Sequence, residues 1–186
     1  MVYPSRAQAY EILTEHTKGE SLIKHALAVE GAMRFYATRA GEDPEAWGVA
    51  GLLHDFDYEI YPSLDDHPFR GAEILRSRGI DEALIQTILS HADHTGVPRT
   101  TAMQRALFAV DELSGFVTAV TLVRPSKKID EVEPSSVKKK LKDKAFARNV
   151  SRDDIRRGAE LMGLSEEEHI ANVIAALKAI APSLGL

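Results

Sequence analysis

Cysteine is absent from this chain of 186 residues. That absence excludes disulfides, thiolate metal sites, iron–sulfur clusters and cysteine nucleophiles together. It fits a reducing cytosol, and a cytoplasmic location is the expectation. The opening residues, Met1-Val2-Tyr3-Pro4-Ser5-Arg6, lack the basic and then apolar run of a signal peptide. Long hydrophobic runs are scarce as well. The one stretch of membrane length, residues 106–123, contains Asp111 and Glu112. Each acid would cost about 2.5–3.5 kcal/mol near a bilayer centre, so a buried central helix is expected there and no membrane partner. No segment of useful length alternates with period two, and there is no internal repeat or low-complexity tract.

What remains has helical period almost throughout. The expected fold is all-α, a compact multi-helix bundle. Residues 22–39 place Leu22, His25, Val29, Met33 and Tyr36 at steps of three and four, so His25 lies on the apolar face. Ser21 is the expected N-cap and Gly41 follows the end. Asp43-Pro44 is a second start signal, followed by an apolar run from Trp47 to Leu53 that ends in His54-Asp55. Residues 56–67 read as a loop. Helices are expected over 68–78, 81–91 and from Thr100 or Thr101 to 122, then three more over 135–146, 151–162 and 165–181.

Four polar residues stand out because their surroundings are apolar: His25, the adjacent pair His54-Asp55, and Asp111. A buried ionised carboxylate is costly unless something compensates it. Asp111 sits in Ala-Val-Asp-Glu-Leu and shares a helix face with Leu107 and Phe108. Three helices would aim these four side chains at one point, as bundle-core metal sites do. Mixed nitrogen and oxygen donors suit Zn, Fe, Mn, Co or Ni without selecting among them. A core histidine and an Asp–Arg salt bridge are the plainer alternatives.

The order His, His-Asp, distant Asp resembles the HD-domain metal-dependent phosphohydrolases. On that resemblance, residues 1–125 form the HD-domain metal-binding core and residues 126–186 a C-terminal helical extension packed on the same domain. The run Asp66-His67-Pro68, Gly71-Ala72-Glu73-Ile74-Leu75, Ile88-Leu89-Ser90-His91 and Phe108-Ala109-Val110-Asp111 is similar to that of the symmetric diadenosine-tetraphosphate hydrolases, a dinuclear branch. The resemblance implies that His67 and His91 hold a second divalent transition metal ion and that Asp55 is shared by both ions. His54-Asp55-Phe56-Asp57 departs from branches that carry Ile-Gly or a lysine after the His-Asp pair. The implied activity is hydrolysis of a phosphate ester or anhydride of a nucleotide or similar small molecule by a metal-activated water. The alternative is a nucleotide-binding regulatory module without turnover; a structural role for the histidines in a helical interaction protein is a third reading.

Charge is uneven. The net charge is −5. Residues 124–157 hold 12 Lys and Arg against 6 Asp and Glu, or +6, so the remainder carries −5 − 6 = −11. Such a segment suggests an anion site, with a solvated helical face as the plainer reading. Lys142 and Arg148 are the candidates for contact with substrate phosphate. Besides Asp55, the expected participants in catalysis are Arg70 and His94, with Asp57, Asp65, Asp66 and Glu73 near the ligands in sequence. No aromatic residues interleave the lysines and the pI is about 5.8, so nucleic acid is not an expected partner. A homodimer stays open.

Overall fold

Six of the ten α-helices among the described residues start at a residue whose side chain caps them. A computed structural model describes residues 3–186. Asp43 accepts from the Glu45 amide at 2.9 Å, and Pro44 takes the first helical position. Thr101 and Gln104 cap one another reciprocally, as do Ser165 and Glu168. The helices run in order α1 (Arg6–His16), α2 (Glu20–Ala40), α3 (Pro44–Leu53), α4 (Phe69–Ser77), α5 (Glu82–Leu89), α6 (Ala102–Leu122), α7 (Pro134–Leu141), α8 (Arg152–Leu161), α9 (Glu166–Ala179) and α10 (Ala181–Leu184). Among the described residues there is no strand. Among the described residues no helix is long and apolar enough to cross a membrane.

Several helix ends differ from the sequence expectation: the helix expected through His91 ends at Leu89 and the one expected through 181 ends at Ala179. The first long helix starts at Glu20 rather than after Ser21, with Gly19 at the cap and no side-chain cap bond. The basic helix stops at Leu141, and residues 143–150 form turns instead. There the Arg152 guanidinium donates to the carbonyls of Asp143, Phe146, Ala147 and Val150, taking the place of helical hydrogen bonds. Helix α1 also lies outside the helices expected from sequence. Its readable signal is the capping box between Ser5 and Gln8.

Helix α2 is the hub and packs most extensively on α3. The approach is close because Gly51 has no side chain. A Cβ there would lie 3.0 Å from the backbone of Val29 and Glu30. This brings the C-terminal end of α3, with His54, alongside His25. Helix α6 crosses both and supplies Asp111. Helix α8 lies against α6 where Gly158 meets Ala109, with room for no Cβ. Helix α9 ties α2 to α6 through buried His169, which accepts from the Tyr36 hydroxyl at 2.6 Å and donates to the Ala109 carbonyl at 2.8 Å. Fully buried Phe56, Phe116, Leu52, Leu107 and Leu113 fill the space between, each contributing roughly 1.5–3 kcal/mol.

Candidate metal centre

His54 is fully buried, and its Nδ1 lies 2.7 Å from the Gly51 carbonyl. A carbonyl only accepts, so Nδ1 carries a proton, and Nε2 is left to hold a second proton or to offer its lone pair to a cation. Among the described residues that Nε2 has no hydrogen-bond partner. It points between Asp55 Oδ2 at 3.4 Å and Asp111 Oδ1 at 3.3 Å. His25 Nε2 completes the group, 3.0 Å from Asp111 Oδ1 and 3.9 Å from Asp55 Oδ2. Two imidazole nitrogens and two carboxylate oxygens thus surround one point, drawn from α2, the end of α3, and α6.

A second group forms on the other oxygen of Asp55. His67 Nε2 lies 3.2 Å and His91 Nε2 3.3 Å from Asp55 Oδ1. His91 donates Nδ1–H to the Ile88 carbonyl at 2.6 Å. His67 donates Nδ1–H to Asp57 Oδ1 at 2.8 Å, while Asp57 Oδ2 accepts from the Gly71 amide at 2.7 Å. With both Nδ1 protons committed, the two Nε2 atoms face each other at 3.3 Å. Two lone pairs at that distance repel unless a proton or a cation lies between them.

The electrostatics state the same demand. Burial alone would lower the His54 pKa, but Asp55 and Asp111 outweigh it and hold it well above its ordinary value. Burial also opposes protonation of His67, yet Asp55 and Asp57 push it up to about 9. Burial would raise Asp111 and Asp55, but the facing histidines hold both well below the usual carboxylate range. Donors about 2.0–2.2 Å from one ion lie within roughly 4.4 Å of each other. The His–Asp separations of 3.0–3.9 Å meet that. An orphaned buried nitrogen, opposed lone pairs and mixed donors fit divalent transition metal ions at both points.

The two groups open on a cavity of about 540 Å³. Tyr58 stands edge-on to His67, and Phe108 forms another wall. Three further carboxylates line it: Asp93, Glu112 and Asp154. Asp93 is held down to about 2 by Arg157 and Arg99, and Asp154 pairs with Arg157 at 3.0 Å. Burial, reinforced by Asp111, pushes Glu112 up to about 7. Among the described residues no Lys or Arg lines this cavity.

The structure therefore brings six of the sequence candidates together: His25, His54, Asp55, His67, His91 and Asp111. His94 lies on the cavity wall, its Nε2 2.9 Å from the His67 carbonyl. Arg70 does not join them. It is exposed and paired with Asp66 and Glu73, and Asp65 and Glu73 are exposed too. Exposed Lys142 lines a different cavity, between α7 and α8, and Arg148 is exposed on the turns at 143–150. The turns explain both: a helix ending at Leu141 does not carry these side chains back to the mouth. Glu112, Asp154 and Tyr58 were not among the sequence candidates. Of these only Glu112, beside Asp111, carried a local signal.

A comparison with known protein families matches residues 22–115 to the HD domain. That span contains all six converging donors. No solved structure matches the chain.

Proposed function

The chain belongs to the HD domain family, and from that premise we propose that it is a metal-dependent phosphohydrolase acting on a phosphate ester or anhydride of a nucleotide or similar small molecule. The observation that carries the reading is Asp55, whose two oxygens face two separate histidine groups. His25, His54, Asp55 and Asp111 would hold one ion; Asp55, His67 and His91 would hold a second. Bound there, divalent ions supply Lewis acidity and a water of lowered pKa.

The chain's own residues do the rest. The Gly51 and Ile88 carbonyls and the Asp57 carboxylate fix the three imidazole orientations, as outer partners of metal-binding histidines do. Tyr58 and Phe108 line the cavity and would give a substrate apolar contact. His94, anchored to the His67 carbonyl and lining the cavity, would carry a proton to the leaving group. The second histidine group supports the dinuclear branch, whose motif order is similar to that of the diadenosine-tetraphosphate hydrolases. The cavity's carboxylates and the absence of a lining Lys or Arg among the described residues speak for a substrate that brings a single phosphoryl group to the ions.

The test is a screen of phosphate esters and nucleotides with metal-replete protein. Hydrolysis that Asp55→Ala abolishes, with the fold retained, supports the proposal. Nucleotide binding without turnover of any compound would replace it with a regulatory binding module.

A further inference from the structure

The metal cavity is not the only concavity that His25 lines. A groove of about 700 Å³ runs between the start of α2 and the second half of α6, lined by Glu20, Ser21, Lys24, Thr118, Ala119 and Leu122. His25 and Gly115 belong to both concavities. Gly115 stands four residues beyond Asp111 on α6, so the groove begins where the metal centre ends.

Gly115 is unlike the other glycines inside helices. At Gly31, Gly48, Gly51, Gly71 and Gly158 an added Cβ would lie 2.5–3.0 Å from a neighbour, and close packing accounts for each. At Gly115 the nearest atoms are the His25 ring at 3.7 and 3.8 Å, an ordinary contact. Alanine would fit and would favour the helix. What glycine does here is keep the space above His25 open.

We infer that the uncharged organic part of the substrate leaves the metal cavity over Gly115 and lies in the α2–α6 groove. The inference rests on reading the site as one for phosphorylated small molecules. From Gly115 to Leu122 the groove floor is about 10 Å long at 1.5 Å rise per residue, the reach of a nucleoside. Its walls suit one. Ala119 and half-exposed Leu122 offer an apolar floor for a flat ring. Ser21 and Thr118 offer hydroxyls to its polar edge. Among the described residues the groove's one Lys or Arg, Lys24, is neutralised by Glu20 at 2.8 Å, so the groove does not suit further phosphates.

The test measures binding of inorganic phosphate and of AMP, GMP, CMP and UMP to metal-loaded protein by calorimetry. At least one nucleotide is expected to bind at least about tenfold more tightly than phosphate. In Gly115→Leu and in Ala119→Phe that advantage should fall below about threefold. If Gly115→Leu does not fold, Ala119→Phe, farther along the open groove, carries the test. Nucleotides that bind no better than phosphate, or an advantage that survives in the folded variants, overturn the groove. The two readings fail separately: binding in the groove without turnover sinks the hydrolase alone, and turnover with the advantage intact in both variants sinks the groove alone.

Discussion

His67 donates Nδ1–H to Asp57 at 2.8 Å and thereby turns its Nε2 to Asp55, 3.2 Å away. Asp57 is fully buried and fixed in turn by the Gly71 amide. The orientation of the second histidine group thus depends on a carboxylate outside that group. Loss of such an outer partner typically costs about 10–100-fold in metal affinity. Asp57→Ala should therefore weaken one of two binding events by that amount in a titration against a competing chelator, and leave the other in place. Equal weakening of both events, or of neither, would show that Asp57 does not orient His67.

Proton release should accompany metal binding. In the metal-free protein His67 is raised to about 9 and His54 well above its ordinary value. Groups raised on folding contribute stability that is present below about pH 6.5 and is lost as pH rises through about 9. The metal-free protein should lose thermal stability across that window. An incoming ion displaces the same protons, so apparent metal affinity should rise over the same range. Calorimetry in buffers of different ionisation enthalpy measures the release, and pH-independent affinity between 6.5 and 9 would contradict the assignment.

Two glycine-to-alanine changes should act with opposite sign. At Gly158 the new Cβ would lie 2.7 Å from Ala109 Cα, and such overpacking costs about 1–3 kcal/mol. Gly115→Ala meets no such contact and should gain roughly 0.5–1 kcal/mol of helix stability. At about 2–4 °C per kcal/mol for a chain of this size, scanning calorimetry resolves both. A fall in Tm for Gly115→Ala would show that the glycine is needed for packing, which the structure denies.

Much of this was legible in the sequence because the informative residues are out of place. His25 on an apolar stripe and Asp111 inside an apolar helix point to burial that needs compensation, and the helix caps at Asp43, Thr101 and Ser165 mark their own positions. His67 and His91 came only through the family resemblance, since nothing local distinguishes a loop histidine from a ligand. Asp57 was a candidate for acid–base work. Its bond to His67 and the Gly71 amide depends on how a loop folds onto α4, which no local pattern encodes. Lys142 and Arg148 misled for a related reason. Basic charge marks an anion site only where the chain returns to it, and the turns held by Arg152 send these side chains elsewhere. Asp154 and Val150 reach the cavity instead.

Everything rests on Asp55 serving two ions at once. Elemental analysis of the native protein and of Asp55→Ala, with circular dichroism to verify the fold, tests this. Two transition metal ions per chain in the native protein and none in the folded variant is the expected result. A single ion per chain in the native protein, or two retained without Asp55, would contradict it.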